Sequence, residues 1–132
     1  MRTQFTKAAD FLKRLADFGV REYSFEGMRY FEVMNATMVD FSGGRNIIPD
    51  RFVVNVNYRF APGKSIEQAK RDVLDIVNGE AEVEFTDLCP SGDVCLYNPV
   101  LSEFIDRFNL PVEAKQAWTD VARLSLHGIR CC

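Results

Sequence analysis

Histidine is almost missing from this chain: His127 is the only one in 132 residues. Protein zinc sites are built from three or four grouped Cys, His or carboxylate ligands. The four cysteines, Cys89, Cys95, Cys131 and Cys132, make no C-x-x-C pair that His127 could complete. No metal ligand is therefore expected here, and the thiols read as free. The adjacent Cys131 and Cys132 look like an interrupted or altered end of the chain. Long apolar runs are also lacking, which excludes a membrane-spanning helix, and the opening Met1-Arg2-Thr3-Gln4 has no apolar signal core. These absences point to a cytoplasmic protein, where a Cys89–Cys95 disulfide is not expected. No basic stripe stands out among 16 basic and 19 acidic residues with a net charge of −3, so nucleic acid has little to grip.

What is present suits a packed domain. Hydrophobic residues make up 47% of the chain and eleven are Phe, each ring bringing a large apolar area. Phe5, Ala8, Leu12 and Leu15 recur at helical spacing, with Thr3 placed to cap the helix and Gly19 to end it. Residues 29–41 are β-rich, with Phe31, Val33, Asn35, Thr37 and Val39 expected on one face and Tyr30, Met34 and Met38 on the other. Phe52, Val54, Val56, Tyr58 and Phe60 alternate with Val53, Asn55, Asn57 and Arg59, which predicts a strand with one buried and one polar face. Ser65 and Gln68 form a capping box for a helix stopped by Gly79. Ala81, Val83 and Phe85 alternate with three glutamates and predict another strand. Asn98 and Pro99 open a further helix, and Thr119 reads as the cap of a last one.

The order helix, strand, strand, helix, strand predicts an α+β fold, an antiparallel sheet with helices on one face. It is one strand short of the ferredoxin-like β-α-β-β-α-β arrangement, which leaves an open edge that invites a partner. Arg59 is the only cation on the polar face of its strand. Its planar fork suits a carboxylate ligand or, equally, a cross-strand ion pair. Asn46, after Gly43-Gly44, either reaches a ligand or stabilises its own turn.

The run Gly43-Gly44-Arg45-Asn46-Ile47-Ile48-Pro49-Asp50, the strand ending Asn57-Tyr58-Arg59-Phe60 and the segment Lys115 to Arg123 (KQAWTDVAR) together resemble the aminoacylase and carboxypeptidase superfamily of zinc amidohydrolases. Within it they resemble the succinyl-diaminopimelate desuccinylases. The resemblance runs from the first helix to about Gly128. It implies a ferredoxin-like lid over residues 1–88, lacking its first strand, and a stub of the zinc aminopeptidase-like catalytic domain over residues 89–132. It also implies a homodimer formed through the lid sheet and helix, and a small acidic amino-acid derivative as ligand, contacted by Asn46, Arg59 and Thr119. The complete enzymes of the family use zinc to hydrolyse N-succinyl-diaminopimelate. Their metal ligands match nothing in this sequence, His127 included, so the chain alone is expected to be inactive, as from a truncated or frame-shifted gene or an excised piece. The other reading is a free-standing α+β module that dimerises and binds a small ligand without catalysis.

Overall fold

The computed structural model describes residues 3–129, which places Cys131 and Cys132 outside the described residues. Helix α1 (Gln4–Phe18) leads into strands β1 (Val20–Phe25), β2 (Met28–Phe41) and β3 (Phe52–Arg59). Helices α2 (Ile66–Val77), α3 (Pro99–Phe108) and α4 (Val121–Leu126) follow. The three strands form one antiparallel sheet in the order β1-β2-β3. The α+β class holds, and three of the four helix N-caps read from sequence hold with it. Thr3 Oγ1 accepts the Thr6 N–H at 3.3 Å. Ser65 and Gln68 satisfy each other's backbone N–H groups at 3.2 and 2.9 Å. Asn98 Oδ1 accepts from Val100, with Pro99 at the first helical position. Helix α2 ends one residue before Gly79, at Asn78 in the left-handed conformation.

Strand placement differs from the expectation in two respects. Strand β1 is additional, joined to β2 by a two-residue turn in which Glu26 (φ 50°) and Gly27 (φ 77°) are both left-handed, the backbone that a tight hairpin requires. Residues 81–85 keep the alternating sequence but form no ladder. A strand needs a neighbour to satisfy its backbone groups, and no described strand lies beside them.

A bulge between Ala36 and Met38 shifts the register of β2. The extra residue turns every later side chain to the other face. Val39 and Phe41 therefore pair with Val54 and Phe52 on the helix side, not with Phe31 and Val33 as simple alternation predicts. Leu15, Phe18 and Met34 form the core, with Phe11, Val56, Tyr58, Val73 and Ile76 packed around it. Arg14 fastens α1 to the end of α2. Its Nε donates to the Ile76 carbonyl at 2.7 Å and its guanidinium meets Glu80 at 2.6 Å. The Ile76 carbonyl is one that a helix C-terminus leaves unpaired. Arg14→Met should cost about 1–2 kcal/mol in urea denaturation, and an unchanged midpoint would show that the clamp contributes nothing.

Candidate functional site

Helices cover one face of the sheet; the other face is open. Register places Val20, Glu22, Phe31, Val33, Asn35, Met38, Val53, Asn55, Asn57 and Arg59 on that open side. Arg59 ends β3 opposite Val33 and is exposed. Among the described residues it makes no ion pair or hydrogen bond, so the cross-strand ion pair that would explain it structurally is not formed. Asn55 Nδ2 donates to Thr37 Oγ1 at 2.6 Å. Asn35 and Asn57 face each other across β2 and β3.

Asn46 lies at the other end of the hairpin. Its turn is closed by the Ile47 N–H on the Gly44 carbonyl at 3.1 Å and by Ser42 donating to Asp50. The Asn46 carboxamide takes no part in either bond, and among the described residues it has no partner. Asn46 is beyond Phe52, and the seven residue steps from there to Arg59 span about 23 Å. One copy of the chain therefore does not bring these two residues to one small ligand.

Thr119 is half-buried, and it is not the cap of α4. That place belongs to Asp120, which has a helical backbone and no side-chain cap bond. The segment preceding Thr119 is attached to the sheet by Gln116. Its Nε2 donates to the Arg29 carbonyl and its Oε1 accepts the Phe31 N–H, both at 3.1 Å. The side-chain amide thus stands in for a strand where β3 has ended, beside the Arg59 end of the sheet. Trp118 Nε1–H donates to the Pro90 carbonyl at 3.2 Å, with the Arg123 guanidinium over its ring.

The sequence reading missed a polar knot under the sheet. Lys64 Nζ lies 2.9 Å from Glu32 and 2.7 Å from Asp72. Tyr58 OH is 2.8 Å from Asp72 and 3.2 Å from Glu32; its single proton goes to the nearer carboxylate. Ala61 N–H completes the set on Glu32 Oε1. Burial works against the Lys64 charge, but bonds to Asp72, Tyr58 and Glu32 outweigh it, and its pKa is raised. Burial likewise opposes the Asp72 charge, yet Lys64 and Tyr58 hold its pKa below the ordinary value. Burial raises the Tyr58 phenol, with Lys64 offsetting part of the rise. Tyr58 precedes Arg59, so the knot fixes the strand end from which Arg59 projects.

The donors present do not fit a zinc site. Among the described residues no three His, Cys, Asp or Glu side chains are grouped to hold a metal ion. Where Glu32 and Asp72 converge, an ammonium already fills the space. His127 is the exposed C-terminal cap of α4. No described helix is long and apolar enough to cross a membrane.

A short antiparallel sheet with helices on one face and exposed apolar side chains at its margin is a build that suits assembly with another sheet. The chain belongs to the Peptidase dimerisation domain family, whose model matches residues 5–84. It is 34% identical over 119 residues to a provisionally named succinyl-diaminopimelate desuccinylase, DapE, found in two strains of Mycobacterium tuberculosis. That match covers 89% of this chain and 34% of the relative. The succinyl-diaminopimelate desuccinylase of Corynebacterium glutamicum is 29% identical over 128 residues, covering 93% of this chain and 35% of that protein. The chain thus spans about a third of the length of the curated relatives that it matches.

Proposed function

We propose that this chain is the dimerising and substrate-clamping part of a hydrolase resembling the succinyl-diaminopimelate desuccinylases, which acts on N-succinyl-diaminopimelate in the cytoplasm. Residues 1–88 are the lid and residues 89–132 the start of a catalytic segment. The hydrolytic metal site is formed by other polypeptide, and this chain alone turns over no substrate. The observation that carries the reading is Arg59, an exposed guanidinium without a protein partner on the open face of a dimerisation-family sheet.

The second copy docks along the distal half of β2. Strand β1 stops opposite Val33, and beyond it Met34 to Val39 (MNATMV) is an uncharged free edge. Met38 is 62% exposed, Val39 47%, Phe41 55% and Phe5 42%, with the Phe5 ring tilted against Phe41 and edge-on to Phe52. An uncharged edge with apolar side chains on both faces is a template for another strand. The edge of β1 instead carries Arg21 and Glu22. The outer edge of β3 is the place that a ferredoxin-like arrangement gives to its leading strand.

This docking supplies what a single copy lacks. Antiparallel self-pairing about an axis between Thr37 and Val39 sets residues 40–44 of the second copy opposite Met34, the first position that β1 leaves free. Tyr58, which precedes Arg59, is the neighbour of Met34 on the other side. Two strand spacings, about 10 Å, then separate Arg59 from the second copy's Asn46 loop. An extended N-acylated amino acid with carboxylates at both ends bridges such a gap.

Titration of N-succinyl-diaminopimelate into mixed chains tests the arrangement. Arg59→Ala and Asn46→Ala should each abolish detectable binding. Mixing and re-equilibrating the two should restore about a quarter of the sites, since about half the dimers become mixed and each mixed dimer keeps one intact site. No recovery in a confirmed mixture would contradict a shared site.

A further inference from the structure

Asparagine is a poor strand former, yet Asn35, Asn55 and Asn57 all sit on the open face of the sheet. Residues that break a local propensity without a structural return collect at functional positions. Asn55 has a return, its bonds with Thr37. Asn35 and Asn57 have none: they are registered opposite each other and exposed, and among the described residues neither carboxamide is hydrogen-bonded.

We infer that Asn35 and Asn57 form a carboxamide clamp that reads an amide group in the ligand, one rung from the carboxylate held by Arg59. This rests on the proposed role of Arg59 and adds to it two specificity-determining residues. Each carboxamide offers both a donor and an acceptor. Directly opposed residues place their Cβ atoms about 5 Å apart, so one amide group lying between them meets an acceptor for its N–H and a donor for its carbonyl. Asn57 and Arg59 are successive residues on the same face, about 7 Å apart. That spacing matches a compound carrying a secondary amide a few bonds from a carboxylate. The two acids on this face are already engaged, Glu22 by Arg29 at 3.9 Å and Asp40 by Arg51 at 3.7 Å. An anionic ligand beside the clamp therefore meets no unpaired carboxylate.

The test is an NMR titration of the isotope-labelled full chain with two probes: N-acetylglycine, which has both groups, and propionate, which has the carboxylate alone. N-acetylglycine should bind about tenfold more tightly, and it alone should shift the side-chain amide signals of Asn35 and Asn57. Asn35→Leu and Asn57→Leu should each remove that preference and leave propionate binding unchanged, with the backbone amide spectrum serving as the control for folding. Equal binding of the two probes by the unaltered chain would overturn the clamp and leave Arg59 standing. Failure of both probes to bind would remove the Arg59 reading, and the clamp with it. Loss of propionate binding in the leucine variants, with folding intact, would show a role other than amide recognition.

Discussion

Lys64→Met should lower the unfolding free energy by about 3–5 kcal/mol at neutral pH, because it strips the counter-charge from a knot that remains in place. Glu32 has a side chain only 5% exposed, and Asp72 is one-third exposed. With the ammonium gone, the Ala61 N–H and the Tyr58 hydroxyl are the bonds left to these two carboxylates. The pH dependence separates this cause from simple loss of packing. The Asp72 pKa is depressed in the folded protein, so its contribution is present above its unfolded value, near 4, and is lost as pH falls through the folded value. The Lys64 pKa is raised, so its contribution is complete below the unfolded lysine value and fades only as pH rises through the folded one. The unaltered chain should therefore be most stable between these limits and weaken in acid. The Lys64→Met protein should gain stability relative to it as pH falls toward about 4, where the Asp72 contribution of the unaltered chain fades. Adding Glu32→Gln should recover part of the deficit. Urea midpoints across this pH range decide the matter; a deficit under about 1 kcal/mol, flat with pH, would show that the knot is solvated and inconsequential.

Val39→Asp should weaken self-association by about a hundredfold or more, the largest effect expected at the proposed interface. Val39 lies within the uncharged edge and near the proposed two-fold axis. One substitution therefore places two carboxylates close together in a contact that should exclude water, and desolvating them without a partner costs several kcal/mol. A hundredfold change in dissociation constant corresponds to about 2.7 kcal/mol. Val39 is 47% exposed in the single chain, so the fold itself should tolerate the change; an unaltered urea midpoint for the monomer checks this. Arg21→Asp, on the edge of β1, is the matched control and should leave association within about threefold. Reversal of the two outcomes would move the interface to β1.

Local chemistry was legible in the sequence and non-local chemistry was not. The capping box at Ser65, the Asn98-Pro99 helix start and the alternation of Phe52 to Phe60 are each set by residues within a few positions of one another, and all three appear as read. Strand β1 escaped notice because its turn is Glu26-Gly27, without the Asn-Gly or Asp-Gly signature of a tight hairpin. The bulge after Ala36 cannot be seen from alternation, because the partner strand fixes it. Residues 81–85 show the converse: a strand pattern is necessary for a strand, but a neighbour makes it one. In the polar knot, Glu32 and Lys64 are 32 positions apart, and a lysine just after Pro62-Gly63 reads as an ordinary turn residue. Arg59 and Asn46 were both found as candidates by resemblance, but their separation along β3 becomes apparent only once the strand is laid out.

The claim on which the rest depends is that the exposed half of β2 is covered by another copy of this chain. Sedimentation equilibrium of the purified chain at micromolar concentration measures it most directly. The account predicts a mass near twice the 15.1 kDa of one chain, falling to the single-chain value for Val39→Asp. A folded, unaltered chain that stays at the single-chain mass throughout the concentration range would contradict it.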